Sequence, residues 1–350
     1  MPFSILNPSP PRILPRVVAS ELPARLWPML WLFIKPRWLW VLAASIPPML
    51  NRALFVSGSY AAKLIADAAL AAEAAHQDIW TQVFPFLLLF IGLMTGVFVV
   101  QGIGWAITYR TRFPLLADMR QTVFSFVQRH SAIYFDNNLS GKIAYKTAVL
   151  PEQMIWLLEW WWFQLMPALG IFLTAALYLT TVSAVFGLPM LGWLAMYFGV
   201  CMMSGRLCAK RAGEHNEAKT QLTGRVVDII INIKNVIFFA AHEREDATVN
   251  RNVTATLAAQ RRLFLNVIFL MRSAQHIMTL LMWTGLYTGL VYAWSRHIIT
   301  PGDFVMMSTL GTMIAARSQE LGDTLPDLFR LSRLGRGEHR NAGRAARDHR

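Results

Sequence analysis

The chain has 350 residues, of which 55% are hydrophobic and only 15% are charged, and its formal net charge is +13. Soluble domains carry about 25% charged residues, so this composition and the mean hydropathy of 0.39 exclude an ordinary soluble domain. The basic residues lie between apolar runs, which is typical of membrane topology and argues against a nucleic-acid partner. We therefore predict an integral membrane protein.

The chain begins with an arm, residues 1–26, in which prolines such as Pro8 and Pro15 interrupt any apolar core of a secretory signal. Residues 21–38 mix tryptophans with basic residues, a pattern that predicts a short helix along the inner membrane surface. Pro36 separates this helix from the next one, because the residue before a proline avoids helical backbone angles.

Six apolar runs are long enough to cross a bilayer, since about 20 apolar residues span its core as a helix. These runs are residues 38–65, 79–109, 155–181, 184–207, 263–294 and 302–321. The sixth is the least apolar, because it contains Ser308, Thr309, Gly311 and Thr312.

The connections between the runs alternate in length and charge. Short turns over residues 66–78, 183–187 and 295–301 hold one basic residue in all, whereas residues 109–154 and 207–262 are long and basic. The positive-inside rule then places both termini and both long segments in the cytoplasm. This predicts a multi-pass protein of the cell inner (plasma) membrane.

The long segments carry helical patterns of their own. Apolar residues recur every three or four positions over residues 116–133, which predicts that the second membrane helix continues into the cytoplasm. A turn follows, the chain returns with an irregularity expected at Pro151, and residues 207–262 repeat the plan. The predicted fold class is an all-α membrane protein of six transmembrane helices with long cytoplasmic extensions.

Four stretches, 115–146, 218–249, 299–313 and 321–331, resemble the transmembrane domain of an ABC exporter of the type 1 class. They include LLADMRQTVFSFVQRHSAIYFDNNLSGKIAYK and ITPGDFVMMSTLGTM, and the likeness extends from about residue 27 to residue 330. The resemblance implies a dimer with a second, identical or different, half-transporter. It also implies a partner nucleotide-binding domain that holds ATP and Mg.

The resemblance further implies that two cytoplasmic turns, residues 135–147 and 232–246, dock on nucleotide-binding domains and couple ATP hydrolysis to the membrane helices. A merely solvated hairpin is the alternative for each turn. The residues placed at these contacts are Phe135, Asp136, Asn137, Gly141, Lys142, Tyr145, Lys234, Phe238, Phe239 and Glu243.

Polar residues within the apolar runs are candidates for a substrate path. Arg52 lies near the middle of the first run, where an arginine costs about 2.5–3.5 kcal/mol to insert and usually faces an interior cavity. A structural arginine paired inside the bundle is the alternative. The candidate residues are Asn51, Arg52, Arg272, Gln275, Thr309 and Thr312.

The chain departs from a complete half-transporter, because it has no G-x-x-x-x-G-K-[ST] motif to bind phosphates. We therefore expect no ATPase site, no catalytic residue and no cofactor in this chain, and the scattered Cys and His residues predict no metal site. The composition of residues 331–350 predicts a basic disordered tail.

Three explanations for this ending stay open: a separate permease subunit, a truncated or frameshifted gene, or a genuine tail that binds lipid or nucleic acid. We favour truncation or frameshift. An alternative function is a non-transporting membrane interaction protein, or a truncated relic, that pairs with an intact ABC transporter.

Overall fold

The computed structural model describes residue 23 and residues 26–129, 140–182 and 184–345, and within these residues the chain is all-α. The predicted all-α fold class is confirmed. The helices are α1 (Leu26–Ile34), α2 (Trp38–Ala74), α3 (Ile79–Gln128), α4 (Ser140–Trp160), α5 (Met166–Val182), α6 (Ala184–Ile231), α7 (Ile233–Phe238), α8 (His242–Leu263), α9 (Leu270–Ser295) and α10 (Pro301–Ala345).

Five helical segments of the described chain are long and apolar enough to cross a membrane. They are Trp27–Ala74, Ile79–Gln128, Thr147–Thr181, Phe186–Met203 and Leu270–Ser295. The sixth predicted run lies at the start of α10 and falls short on composition, as its serine and threonine content leads us to expect. The protein is a multi-pass membrane protein, and the count of six spans stays a prediction.

Several helix boundaries differ from the prediction. The helix α2 continues to Ala74, so the turn expected over residues 66–78 shortens to its last four residues. Pro151 lies inside α4 without interrupting it, and the irregularity is instead a π-helical segment at Trp161–Leu165. The helix α10 continues to Ala345, into the predicted tail, while the division into arm, membrane domain and tail stays a prediction.

Three helices end in the same backbone turn, on non-glycine residues with left-handed angles. His76, Ala240 and His297 have φ of 51°, 47° and 56°. In each case the N–H of the following residue donates to the carbonyl five residues back at 2.9 Å, which is the Schellman closure. We call the end of the bundle with His76 and His297 the short-turn end, and the end with Ala240 the long-arm end.

At the short-turn end, α2 is fixed to the start of α10 by charge. The Lys63 ammonium lies 2.6 Å from the Asp303 carboxylate. The Asp67 carboxylate accepts hydrogen bonds at 3.0 Å from the Gly302 N–H and from the Thr300 hydroxyl. Two carboxylates thus lie at the N-terminus of α10, where free N–H groups and the helix dipole favour negative charge.

The buried side chains form two main clusters. The larger one joins α2, α5, α6, α9 and α10 around residues such as Trp193, Tyr197 and Met306. The second joins α1, α2, α3 and α4, and the buried faces of Leu30 and Phe33 attach α1 to it. The short helix predicted ahead of the first span is therefore a packed part of the bundle.

The longest helices exceed what a bilayer requires. At 1.5 Å per residue, the 50 residues of α3 and the 48 residues of α6 are about 75 and 72 Å long, against about 30 Å of hydrocarbon core. The helices α6 and α8 pack side by side toward the long-arm end, where α7 joins them. That these extensions lie in the cytoplasm stays a prediction.

A glycine lets α2 and α5 approach closely. A Cβ atom added at Gly170 would lie 2.3 Å from the Met49 carbonyl oxygen and 3.2 Å from the Cβ of Arg52. Small residues permit such close backbone contact between membrane helices. Because the clash would be with backbone, a side chain here requires the two helices to separate.

We expect Gly170→Ala to lower the free energy of unfolding by about 1–3 kcal/mol, the usual cost of overpacking a close contact. Titration with sodium dodecyl sulfate from mixed micelles measures this free energy. Gly192→Ala is the matched control, since a Cβ at Gly192 meets nothing within 4 Å, and it should cause no loss. Equal stabilities for the two variants would contradict the close approach of α2 and α5.

Candidate functional site

The π-helical segment Trp161–Leu165 leaves a backbone carbonyl without its helical donor. The Met166 N–H donates to the Trp161 carbonyl, the i to i−5 bond that defines a π turn. The next residue, Pro167, has no N–H, so the Phe163 carbonyl lacks the bond that an α-helix would give it. Within a membrane an unsatisfied carbonyl costs several kcal/mol, so another donor is required.

Arg317 of α10 supplies that donor. Its guanidinium donates to the Phe163 carbonyl at 2.9 Å and to the Gln164 carbonyl at 2.5 Å, and the residue is only 8% exposed. The same guanidinium pairs with Glu320 one turn along α10. Arg317 is not among the predicted site residues, although the sequence shows both an arginine inside the sixth run and a proline, Pro167, inside the third.

Three consecutive tryptophans, one before the π turn and two within it, connect it to α2 and α10. The indole N–H groups of all three find acceptors on these neighbouring helices. The pairs are Trp160 with the Thr324 hydroxyl at 2.9 Å, Trp161 with the Ser45 hydroxyl at 2.9 Å and Trp162 with the Val41 carbonyl at 3.3 Å. These tryptophans therefore bond to both α2 and α10.

A cavity of about 90 Å³ lies beside the π turn, between α2, α3 and the start of α5. Arg52 and Gln101 give it polar atoms, and Thr108 is buried in its wall. Trp105 and Phe163 form an aromatic side, with ring centroids 6.2 Å apart. The cavity thus combines one cationic group, polar groups and aromatic surface.

Two of the six predicted substrate-path residues, Asn51 and Arg52, line this cavity. Asn51 is buried, and its amide donates to the Val97 carbonyl of α3 at 2.7 Å, so it also holds α2 against α3. Arg52 is exposed to the cavity, and its guanidinium lies 5.9 Å from the centre of the Phe55 ring.

The other four lie on α9 and α10. Arg272 is exposed and pairs with Asp323 at 3.0 Å, while Gln275 is buried and donates to the Cys201 sulfur at 3.1 Å. Thr309 is half-buried and Thr312 is exposed, and the hydroxyl of each donates to a carbonyl of its own helix. The structure does not bring these four to the cavity, and their role in a substrate path stays a prediction.

The first predicted docking turn is only partly described. Phe135, Asp136 and Asn137 lie outside the described residues. Gly141, Lys142 and Tyr145 fall in the first turns of α4, for which we describe the backbone alone.

The second predicted docking turn is described in full. Lys234, Phe238, Phe239 and Glu243 are all exposed, and the two phenylalanines are 83% and 81% exposed. Val236 points inward and is buried, which fixes α7 to the ends of α6 and α8. The turn thus presents two adjacent aromatic rings and two opposite charges at the tip of the long-arm end.

Within the described part of the chain, no group of three His, Cys, Asp or Glu residues is placed to hold a metal ion. The described structure thus offers a polar cavity inside the bundle and two exposed phenylalanines, Phe238 and Phe239, at the long-arm end.

Comparison with known proteins gives a family and a fold. The family model described as the ABC transporter transmembrane region matches residues 41–316. A solved structure described as a bacterial Atm1-family ABC exporter with ATP bound is similar, with a TM-score of 0.69 and 19% identity. The match covers 85% of this chain and 51% of that one, so the chain spans about half of that exporter's length. No curated protein matches the chain.

We expect Arg317→Gln to lower the free energy of unfolding by about 1–3 kcal/mol, because it leaves a buried carbonyl without its donor. The loss should shrink in a Pro167→Ala background, since alanine restores an N–H that can bond to the Phe163 carbonyl. Dodecyl sulfate titration of both single variants and the double variant measures this coupling.

Arg211→Gln is the control for charge removal, because Arg211 forms an exposed pair with Glu214 and its loss should cost little. If the double variant lost as much unfolding free energy as the two single variants together, Arg317 would not be the donor that replaces the missing N–H of Pro167.

Proposed function

The chain belongs to the family of ABC transporter transmembrane regions, and we propose that it is the membrane-spanning permease part of an ATP-driven exporter. A partner nucleotide-binding domain would bind and hydrolyse ATP with Mg, and this chain would convert the motion into alternating access. The observation that carries the proposal is the exposed aromatic tip at α7, defined as Ile233, Lys234, Ile237, Phe238 and Phe239.

An aromatic tip in water requires a covering partner. Large apolar side chains exposed together mark interaction sites, and interfaces are enriched in aromatic residues at their core with polar residues at the rim. Phe238 and Phe239 supply such a core, while Lys234 and Glu243 supply a charged rim. A soluble domain that docks here would therefore bury apolar surface and still satisfy the flanking charges.

The helices α6 and α8, which carry the aromatic tip, are joined to each other so that they can move as one unit. The helices α6 and α8 pack along their length, and the Arg225 guanidinium lies 2.6 Å from the Glu245 carboxylate near the tip. The helices α3 and α4 are joined in the same way by two further ion pairs, Arg112 with Glu159 and Arg120 with Glu152. Cross-linked helices transmit a push at the tip to the membrane segments better than a single helix would.

In the same proposal the chain works with a second half-transporter, identical or different, and substrate moves between the two bundles. The cavity at Asn51 and Arg52 is the substrate contact that we favour, because it combines a cationic group with aromatic surface inside the bundle. Six membrane crossings with both termini and the aromatic tip in the cytoplasm complete the proposed topology.

We expect full-length chain in nanodiscs to show no ATPase activity alone and to stimulate an added ABC exporter nucleotide-binding domain. Replacing both Phe238 and Phe239 by alanine should weaken the affinity for that domain by about 30-fold, because buried aromatic anchors contribute about 2 kcal/mol or more to an interface. Titration of ATPase rate against domain concentration measures this affinity.

Leu257→Ala is the matched control, since Leu257 is an exposed apolar residue on α8 away from the tip. This variant should bind the nucleotide-binding domain with unchanged affinity. Turnover of ATP by the chain alone would refute the proposal. So would full stimulation by the variant without the two phenylalanines.

The topology predicts which ends of the bundle are reached from outside a cell. In a Cys201→Ser, Cys208→Ser background, cysteines at His76 and His297 should react with a membrane-impermeant maleimide in intact cells. Cysteines at Asn232 and Arg330 should react only after permeabilisation. Labelling of Arg330→Cys in intact cells would contradict six crossings, and labelling of Asn232→Cys would contradict a cytoplasmic tip.

A further inference from the structure

The cavity beside the π turn lies deep within α2. About 21 Å of helix separates Arg52 from Trp38, where α2 begins, and about 16 Å separates it from Lys63 near the short-turn end. Since the hydrocarbon core is about 30 Å thick, Arg52 lies near its middle if α2 crosses it. An ionisable residue at that depth is expensive to insert and marks a functional site by default.

Arg52 differs in its partners from the other basic residues of the predicted apolar runs. Four basic residues with described side chains fall within the six predicted runs, and three of them contact a carboxylate. Those three are Lys63 with Asp303, Arg272 with Asp323 and Arg317 with Glu320. Within the described part of the chain Arg52 has no acidic partner, and its one charge-related contact is the Phe55 ring.

The residues that line the cavity do not neutralise the charge of Arg52. No acidic side chain lies among the described residues that line the cavity. A cavity with this potential attracts an anion and disfavours a cation.

The size and walls of the cavity limit what the anion can be. At about 90 Å³ it exceeds several times the roughly 10–15 Å³ that one water needs, so it holds an oxyanion group but no whole drug-sized molecule. The guanidinium of Arg52 and the amide of Gln101 are suitable donors to a carboxylate, sulfonate or phosphate. Trp105 and Phe163 offer aromatic surface to the rest of the ligand.

We propose that this cavity binds the oxyanion group of the transported substrate, which is an amphipathic organic anion with an apolar or aromatic body. Arg52 and Gln101 hold the charged group, and the body of the molecule lies on Trp105 and Phe163. This proposal rests on the proposed transport function and names its substrate class. Arg52 is thereby a specificity residue that favours anions over neutral analogues.

Two fluorescent probes of matched shape test the proposal, 8-anilinonaphthalene-1-sulfonate and the uncharged N-phenyl-1-naphthylamine. Full-length chain in phosphatidylcholine nanodiscs is titrated with each. Arg52→Gln should weaken binding of the sulfonate by about tenfold or more, because it removes a charge-assisted hydrogen bond, and leave the neutral probe unchanged. Arg52→Lys keeps the charge but not the fork geometry, so its loss should be smaller.

Arg296→Gln is the matched control, because Arg296 also lies over an aromatic ring, at 5.5 Å from the centre of Tyr292, but on the turn that follows α9. It should leave both affinities unchanged. Unchanged sulfonate affinity in Arg52→Gln would overturn the proposal. An equal loss for both probes would do the same, since it would indicate a collapsed cavity.

Gln101→Glu gives a second test that does not depend on weakening the fold. It places a carboxylate in the cavity with Arg52, so it should abolish binding of the sulfonate while raising stability in dodecyl sulfate. Retained sulfonate binding with lower stability would overturn the proposal. Displacement of the sulfonate by phosphatidylglycerol added to the nanodiscs would instead assign the cavity to a lipid phosphate and overturn the substrate assignment.

These measurements use no ATP and no nucleotide-binding domain. Their failure would therefore leave ATP coupling through the aromatic tip intact, and failure of ATPase stimulation would leave anion binding intact.

Discussion

A helix inside a bilayer has no water to bond its free carbonyls, so each one needs a donor from the protein. Pro167 creates such a carbonyl at Phe163, and the buried guanidinium of Arg317 satisfies it across the interface between α5 and α10. Much of the bundle's centre follows from this contact. The π turn directs three indoles onto α2 and α10, and it places the Phe163 ring in the cavity wall.

Charge is distributed by position along the bundle. At the short-turn end Lys63 and two carboxylates fix α2 to α10, and on the arms ion pairs join α3 to α4 and α6 to α8. In the proposed function, these pairs would let the joined helices move as units. Arg52, which has no acidic partner among the described residues, would contact the substrate.

The sequence alone predicted the features that depend on local pattern. Apolar runs and three-to-four spacing predicted α2, α3 and α9 within several residues, and the order of short motifs indicated the family that the comparison confirms. Helix ends were harder, because the alanine-rich stretch up to Ala74 has strong helix propensity that outweighs its acidic residues. The resemblance placed Phe238 and Phe239 at a docking turn, and both side chains are exposed, while their docking role stays a prediction.

Features that depend on distant residues could not be predicted from local pattern. The helix irregularity was expected at Pro151, but α4 continues through that proline, and the π turn lies where the Arg317 guanidinium donates to its carbonyls from α10. The cavity likewise depends on side chains from three helices that only the fold brings together. The roles of Arg52 and the aromatic tip, which the sequence proposed, now have geometry to be tested against.

The three left-handed closures at His76, Ala240 and His297 also bear on how robust the fold is. A residue with a Cβ atom is strained by about 1–2 kcal/mol in that conformation, whereas glycine adopts it freely. Glycine at His76 or His297 would therefore relieve strain at surface positions outside the cavity, the π turn and both predicted docking turns, whereas Ala240 lies within the second docking turn. The two histidines are thus starting points for a more stable sample for crystallography or cryo-microscopy.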